Sequence, residues 1–477
     1  MKGGIIRQYS VPLYTDAKDA LRWTEAGMKN IKFRKKRWTS FQIIIAGFLL
    51  VILSGSLLLM LPIAAKSGKS TSFLEALFTA TSATCVTGLV VQDTATYWSA
   101  FGQAVILLLI QIGGMGVVTI AVSAAVISGR KIGLMQRSTM QEAIAAPSVG
   151  GIVRLTGFII KVALMIELTG ALLMLPVFVR EFEIGKGIWY SLFHSVSAFC
   201  NAGFDLMGET QQYSSLTGYR GNPLLNAVII GLIVVGGIGF LTWDDVKCKG
   251  IYLRKYRLQS KMILIMTAAL ITVPFLIFYF GEFGRDVWAD MSTGERVWAA
   301  LFQTVTPRTA GFNTVDLTQF SEAGRVIILI LMLIGGSPGS TAGGMKTTTV
   351  AVLFMTLFAV FKRKEDTECF GRRVEENTVK YAATVLLMYL TLFLTGGIII
   401  SYVEDLPVLT CLFETASAIG TVGLTLGITP QLKAVSRLIL IVLRFLGRVG
   451  GLTLIFAAFS GTQRKVSRFP KEKITVG

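Results

Sequence analysis

Four short runs centred on a glycine recur along this chain at nearly equal spacing, with long apolar segments between them. Their central glycines are Gly88, Gly203, Gly311 and Gly423, which lie 115, 108 and 112 residues apart. A fixed period of this kind indicates one structural unit used several times. The runs cover residues 83–89, 199–204, 306–313 and 419–425 and are called runs 1 to 4 below. The chain is therefore predicted to contain four related units.

The composition assigns these units to a lipid bilayer. Of 477 residues, 53% are hydrophobic and only 16% are charged, which is too apolar for a soluble globular protein of this length. A helix needs about 20 residues to cross the hydrocarbon layer. Eight apolar stretches reach that length, at residues 38–63, 100–128, 155–179, 224–243, 262–280, 326–361, 382–402 and 438–459. The sequence predicts an all-α membrane protein with eight transmembrane helices.

The formal charge of +18 follows this topology. A nucleic-acid-binding protein would gather its charge on one soluble face, and we expect no nucleic-acid partner here. Lys and Arg instead crowd every second connection, at residues 1–37, 129–154, 247–261, 362–380 and 464–473. Because basic loops stay in the cytoplasm, both termini are predicted to be cytoplasmic in a multi-pass plasma-membrane protein.

The reactive side chains argue against an enzyme. The five cysteines lack metal-binding spacing, and His194 is the single histidine, so zinc, haem and a Cys/His nucleophile are poorly supported. We expect no organic cofactor, and His194 is interpreted as a packed core residue rather than a ligand. Glu167, inside the third span, is either a proton or sodium site or a partner for a neighbouring helix.

Each unit has the same predicted order: a spanning helix, a short apolar helix, a glycine run, a polar outer stretch and a second spanning helix. The short helices, near 73–83, 188–199, 296–304 and 408–419, are too short to span. Ser72 and Glu75 form a capping-box pattern at the first of them. The predicted divisions are a basic arm (1–37), repeats 1 to 4 (38–128, 129–246, 247–361 and 362–461) and a cytoplasmic tail (462–477).

This arrangement predicts four non-identical helix–pore loop–helix repeats around a pseudo-fourfold central pore. Non-helical backbone survives at membrane depth only where it is buried in protein or lines a wet cavity. The carbonyl ends of converging short helices favour a cation, and rings of carbonyls can replace the hydration shell of that cation. The alternative is that the glycines merely allow tight turns.

A second glycine motif lies further along each unit, as clusters at 113–116, 236–239, 335–339 and 447–450, each followed closely by a threonine. Close helix packing is an equally good explanation for the first two. In the third, residues 335–349 contain Pro338 and five glycines and have low helix propensity. We predict a loop inside the membrane that acts as a gate, with a simple kink as the alternative. Lys346 either faces a wet cavity or extends to the membrane surface.

The fourth cluster carries Arg448, a permanent charge deep in a span. Arg448 is predicted to repel cations at a constriction or to hold the 335–349 loop, with extension to the cytoplasmic edge as the alternative. For Arg444, one turn earlier, a protein–protein contact is only a hypothesis. The predicted gate consists of Gly335, Gly336, Ser337, Pro338, Gly339, Ser340, Thr341, Ala342, Gly343, Gly344, Lys346 and Arg448.

Together, the four runs, the glycine-rich third segment and Arg448 resemble the Trk/Ktr/HKT superfamily of potassium transporters over nearly the whole chain. The closest matches are residues 83–94, 303–313, 335–347 and 413–429, and the chain is most similar to the Ktr-type membrane subunit (KtrB).

This resemblance implies potassium uptake by a homodimer with one pore per subunit, regulated by a cytoplasmic KtrA-type ring of nucleotide-binding subunits. It also implies potassium as the bound ion, with sodium stimulation in some members. Glycine in all four runs matches the potassium pattern, and a sodium-selective or weakly selective channel of the same fold is the alternative. Carried over residue by residue, the filter comprises Val86, Thr87, Gly88, Asn201, Ala202, Gly203, Thr309, Ala310, Gly311, Thr421, Val422 and Gly423.

Overall fold

Long helices dominate the computed structural model, which describes residues 38–128, 132–146, 148–451 and 453. The predicted basic arm and cytoplasmic tail lie outside these residues. Four described helices are long and apolar enough to cross a membrane. These outer helices are Ser40–Leu59, Ile152–Glu181, Leu258–Ile277 with its π-helical extension Phe278–Glu282, and Glu376–Glu404.

A short helix follows each outer helix, and its last residues lead into a glycine run. The four, called short helices 1 to 4, are Phe73–Thr84, Ile184–Phe199, Thr293–Val305 and Val408–Gly420. The Ser72 hydroxyl caps the first by accepting from the Glu75 backbone N–H at 3.4 Å. Short helix 3 begins with a full capping box, which was not predicted from the sequence. In this box the Glu295 carboxylate also accepts from the Ser292 backbone N–H, at 2.9 Å.

The second helix of a unit is not one straight span, which differs from the prediction. In the first two units it is bent sharply, by 96° and 93°, between the two members of a helix pair. The bends fall at Gly116 and Gly239, whose φ angles of 88° and 99° belong to the region that glycine enters without steric cost. The paired helices are Ala100–Met115 with Val117–Ile127 and Pro223–Ile238 with Phe240–Lys249.

The corresponding segments of the third and fourth units are interrupted as well. Residues 335–346 are not helical and separate Glu322–Leu333 from Thr347–Phe361. Helix Ala434–Val449 ends before Gly450, whose φ is 90°, and the stretch that follows lies largely outside the described residues. By length and composition, the described part therefore holds four spans, or up to six if each bent pair is one span.

The connections contain few further elements. Helix Leu134–Ile144 lies between the first two units, and strands Glu368–Cys369 and Arg372–Arg373 form an antiparallel hairpin. The remaining helical turns are Pro62–Ala64, Thr94–Tyr97, Met207–Glu209, Thr217–Tyr219, Leu253–Lys255, Asp286–Trp288, Leu317–Gln319 and Thr429–Gln431.

Buried apolar side chains of the described residues form two large clusters. One is drawn mainly from the first two units and the other mainly from the last two. Phe78 of short helix 1 belongs to the second cluster, and Phe302 of short helix 3 belongs to the first. Each half therefore contributes side chains to the core of the other, and this packing brings the four runs together.

Candidate functional site

The four runs meet through their central glycines. A methyl group built on each glycine would lie 2.6 Å or less from the carbonyl oxygen of the residue before the next glycine. Gly88 faces Ala202 in this way, Gly203 faces Ala310, Gly311 faces Val422, and Gly423 faces Thr87. The last contact returns to the first run, so the contacts form a closed ring. Any larger residue would collide with backbone, which is harder to relieve than a collision with a flexible side chain.

Each run reaches this ring through the same backbone conformation. The central glycines have φ angles between 67° and 99°. Two residues earlier, the non-glycine residues Val86, Asn201, Thr309 and Thr421 also have positive φ, at 52°, 58°, 72° and 51°. Residues other than glycine seldom adopt a positive φ. Four of them at equivalent positions in one site indicate a functional constraint.

In runs 1, 2 and 4 these unusual dihedrals end the short helix in a Schellman motif. The residue before the central glycine donates its N–H to the carbonyl five residues earlier, as from Thr87 to Ser82 and from Val422 to Ser417, both at 2.8 Å. Run 3, which contains Pro307, departs from this pattern, and Ala310 donates its N–H to Thr306 instead, at 2.9 Å. The Thr306 hydroxyl then donates to the carbonyl of Phe312 at 2.5 Å.

Several oxygens in the runs carry no hydrogen bond to the described protein. They include the hydroxyl oxygens of Thr87, Thr309 and Thr421 and the side-chain oxygen of Asn201, all on fully buried residues. Buried polar atoms in proteins normally have a partner. These oxygens can therefore accept a hydrogen bond from water or coordinate a cation. A set of ligands made up of oxygen atoms only suits a group 1 ion.

The glycine clusters of the second helices pack against the short helices. A side chain at Gly113 would collide with the carbonyl oxygen of Thr84, at Gly236 with that of Phe199, and at Gly447 with that of Ile419. Each contacted residue stands four positions before the central glycine of its run. Close packing, the alternative considered from the sequence, therefore explains the first glycine of these clusters. In the first two clusters, the last glycine forms the bend.

The 335–346 loop is hydrogen-bonded to the bend at Gly239. Ser337 donates its N–H to Gly237 at 3.0 Å, and Phe240 donates its N–H to Gly339 at 2.6 Å. The loop therefore satisfies backbone groups that the bend leaves unpaired. Its two ends pair with each other, because Gly335 donates its N–H to Met345 at 2.8 Å.

The loop also contacts runs 2 and 4 directly. The Thr341 hydroxyl donates to the Phe199 carbonyl at 3.0 Å and accepts from the Asn201 amide at 3.2 Å. On the other side, a side chain at Gly343 would collide with the side chain of Thr421. The predicted gate residues 335–344 thus lie against two of the predicted filter runs.

The two basic gate residues bind carbonyl groups of the loop. Lys346 donates to Ala342 at 2.8 Å and to Gly343 at 3.3 Å. Arg448 donates to the Thr341 carbonyl and, across the molecule, to the Gly114 carbonyl at 3.2 Å. Of the roles predicted for Arg448, these contacts fit the one in which it holds the 335–349 loop. Both side chains line a cavity of about 300 Å³ that is bounded by the loop, by the bend at Gly116 and by Gly450.

Arg444 does not contribute to a surface, which corrects the hypothesis of a protein–protein contact. It is fully buried, and its guanidinium group lies 3.7 Å from the ring centroid of Phe78. It also donates to the Phe78 carbonyl at 3.3 Å. The attraction between a cation and an aromatic ring is stronger in a buried site than at the surface. Arg444 therefore links the fourth unit to short helix 1.

Two further buried residues hold the short helices. His194 stacks on Phe178, and its ring nitrogens lie 2.7 Å from the Tyr190 carbonyl oxygen and 3.3 Å from the Leu206 N–H nitrogen, as expected for a core residue. Glu414 accepts from the Thr429 hydroxyl at 2.9 Å, and also from that of Thr425. These partners were not predicted from the sequence, because the two threonines lie 11 and 15 residues further along the chain and outside the helix that carries Glu414.

Comparison with known proteins adds the following findings. A family model described as TrkH, cation transport protein, matches residues 17–466. The chain is 40% identical over 449 residues to the potassium/sodium uptake protein NtpJ of Enterococcus hirae, covering 93% of this chain and 98% of that one. It is 39% identical over 442 residues to the Ktr system potassium uptake protein B of Bacillus subtilis, with coverages of 92% and 97%. The fold is similar to that of the potassium transporter TrkH from Vibrio parahaemolyticus, with a TM-score of 0.69 over 91% of this chain and 88% of that one, at 19% identity.

Proposed function

The chain belongs to the TrkH family of cation transport proteins, and from this premise we propose that it takes up potassium through the ring formed by runs 1 to 4. The observation that carries the proposal is the closed ring of glycine–carbonyl contacts, in which each run approaches the next at backbone distance. Backbone carbonyls of residues 86–88, 201–203, 309–311 and 421–423 would replace the water around a dehydrated cation. The ion then moves inward, driven by a membrane potential worth about 2.3 kcal/mol per charge per 100 mV.

The gate in this proposal is the 335–346 loop together with Arg448. The loop contacts runs 2 and 4, and Arg448 ties it to the bend of the first unit. Passage of an ion requires this loop to move aside. The bonds that hold it are mostly single hydrogen bonds to carbonyl groups, so a regulated displacement is energetically accessible.

The proposed topology keeps eight spans in four repeats, 38–128, 129–246, 247–361 and 362–461, around one pseudo-fourfold axis. In this topology, each bent or interrupted second helix crosses the membrane once. The short helices then enter the membrane and leave it on the outer side. The distribution of Lys and Arg supports a plasma-membrane protein with both termini in the cytoplasm.

The proposed partners are a second copy of the chain and a cytoplasmic ring of KtrA-type nucleotide-binding subunits. Their support is the 39% identity to a protein named as part of a Ktr system. Copurification of a soluble nucleotide-binding protein with the full-length chain tests the second partner, and light scattering of the detergent-solubilised chain tests the first. A monomer without a copurifying protein contradicts both.

Selective uptake of potassium is tested by isotope uptake into cells that lack their own potassium transporters. Rubidium-86, as a potassium tracer, is expected to enter faster than sodium-22 and to be displaced by unlabelled potassium more than by sodium. Equal uptake of both ions favours the second candidate, a weakly selective channel. The similarity to the Enterococcus hirae relative, a potassium/sodium uptake protein, is the observation that favours this candidate.

A further inference from the structure

A buried carboxylate lies directly behind run 2. Glu167 is on the outer helix Ile152–Glu181 and is 3% exposed. It takes no part in the proposed filter or gate. A carboxylate deep in a membrane segment is costly to bury, and such residues are usually retained for function.

The Glu167 side chain joins three separate parts of the chain. Both of its oxygens accept from the Gln111 amide, at 3.1 and 3.2 Å. The Cys200 sulfur lies 3.8 Å from the nearer carboxylate oxygen and 3.7 Å from the Gln111 side-chain oxygen. Helix Ala100–Met115, the outer helix of the second unit and run 2 therefore meet at this carboxylate.

The backbone of the same residue adds a second attachment. The Ser195 hydroxyl, on short helix 2, donates to the Glu167 carbonyl at 2.5 Å. One turn later, a side chain at Gly170 would lie 2.5 Å from the Ser195 oxygen, so the two helices approach closely. Glu167 thus fixes the end of short helix 2 through both its main chain and its side chain.

Cys200 stands next to the strained part of the run. It precedes Asn201, whose φ is 58°, and lies three residues before Gly203. Its sulfur is in turn packed against Gly114, where an added side chain would lie 2.6 Å away. Gly114 also accepts a hydrogen bond from Arg448. The network of Glu167, Gln111 and Cys200 therefore lies between the ring and the anchor of the gate.

The other three runs are supported differently. The positions equivalent to Cys200 are Cys85, Arg308 and Gly420, and within the described chain none of them contacts a carboxylate. Arg308 lies within 3.3 Å of the Thr267 hydroxyl on the outer helix of its own unit. Run 4 also has a buried carboxylate nearby, that of Glu414, but it accepts from Thr425 and Thr429, which follow the central glycine, and not at the position of Cys200. Run 2 is held at that position by Glu167 and from the gate side by Thr341.

We propose that Glu167 is a positioning residue that sets the discrimination between potassium and sodium by holding run 2 through Gln111 and Cys200. This inference rests on the proposed function. The Ala202 carbonyl faces Gly88 in the ring, so a shift of run 2 changes the distances available to an ion there. The number and spacing of the filter carbonyls determine which cation size is preferred. A displacement of run 2 therefore changes the ratio of potassium to sodium uptake more than it changes the amount of folded protein.

The test measures rubidium-86 and sodium-22 uptake by the full chain with Glu167→Ala, Glu167→Gln and Gln111→Leu. Glu167→Ala is expected to lower the ratio of rubidium-86 uptake to sodium-22 uptake about tenfold, an effect of the size typical for loss of hydrogen bonds to a charged group. Glu167→Gln keeps the shape and one acceptor, so it is expected to restore most of the ratio. Gln111→Leu is expected to lower the ratio in the same sense.

The matched control is Glu282→Ala, which removes a buried carboxylate bonded to Ser321 and Arg285, away from the ring. Its ratio is expected to equal that of the unmodified chain. An unchanged ratio in Glu167→Ala, or uptake of both ions reduced in proportion, overturns the proposal, as does Glu167→Gln behaving like the alanine variant. If Glu167→Ala does not fold, Gln111→Leu decides by the same criterion. Failure of the unmodified chain to move either ion contradicts the proposed function instead.

Discussion

Arg448 donates a hydrogen bond to the carbonyl oxygen of Thr341, and this bond joins the last described helix to the loop beneath the ring. The same guanidinium group reaches Gly114 in the first unit, at 3.2 Å. Arginine suits this task because its planar fork donates in two directions at once. One side chain thus connects the fourth, third and first units next to the proposed filter.

Replacement of Arg448 by alanine is expected to raise potassium uptake several-fold. The change removes the bond to Thr341 of the 335–346 loop and the bond that ties this side chain to Gly114 in the first unit. It also removes a positive charge from the proposed pathway of the cation. Initial rates of rubidium-86 uptake, normalised to the amount of protein in the membrane, measure the effect. Deletion of residues 336–344 is expected to act in the same direction.

The control for this prediction is Arg437→Ala on the same helix. Arg437 binds the carbonyls of Leu432 and Pro430 at the other end of the helix, at 2.7 and 3.0 Å, and does not contact the loop. It is expected to leave the rate within about twofold of the unmodified value, as for a surface substitution. Lower uptake in well-folded Arg448→Ala protein is inconsistent with a gate held shut by this residue.

Replacement of Gly423 by alanine is expected to abolish uptake. The added methyl group would collide with the Thr87 carbonyl oxygen and force runs 4 and 1 apart. Gly427 is the matched control, since its φ of 91° is equally unfavourable for alanine but no atom lies within 4 Å of the added group. Gly427→Ala is expected to retain most uptake at a stability cost of about 1–2 kcal/mol. Similar uptake by both variants would mean that backbone strain, rather than the ring contact, decides the outcome.

The sequence predicted the parts of this structure that depend on local or repeated features. The short helices begin and end within about four residues of their predicted limits, because length, capping and the glycine that follows are all local signals. The non-helical stretch after Gly335 was likewise predictable, since proline and clustered glycine disfavour a helix wherever they occur.

What the sequence did not predict depends on contacts between distant segments. Gly116 and Gly239 were candidates for packing, and nothing in their neighbours distinguishes a packed glycine from one at a bend. The environment of Arg444 depends on Phe78, a residue that lies 366 positions earlier. The sulfur of Cys200 likewise faces Glu167 only because the third predicted span packs behind run 2.

The bend at Gly239 is expected to be needed for the loop, so Gly239→Ala should disturb gating. Its φ of 99° is unfavourable for alanine, and the added group would lie 2.7 Å from the Pro338 carbonyl oxygen. We expect a leaky or inactive protein, seen as a change of at least about fivefold in uptake rate. Gly231→Ala, on the same helix pair but in open space, is the control and should behave normally. Normal uptake by Gly239→Ala would indicate that the loop does not depend on this bend.

The capping box of short helix 3 should contribute measurably to stability. Ser292→Ala or Glu295→Gln is expected to cost about 1 kcal/mol, as for other N-cap losses. Hydrogen bonds from the backbone N–H and hydroxyl of Ser292 hold the pKa of Glu295 below its usual value. A carboxyl group with a lowered folded pKa stabilises the fold above its unfolded pKa, and this contribution disappears as the pH falls through the folded value.

Thermal unfolding of the detergent-solubilised protein between pH 7 and pH 3 measures this contribution. The difference between the unmodified chain and Glu295→Gln should be largest at neutral pH and should shrink on acidification. Ser72→Ala is the comparison, because the hydroxyl caps of the two helices have similar lengths, 3.4 Å at Ser72 and 3.3 Å at Ser292, but short helix 1 lacks the bond from the serine backbone N–H to the acidic residue. We expect a smaller loss there. A difference for Glu295→Gln that stays constant with pH would mean that the ionised carboxylate does not stabilise this helix start.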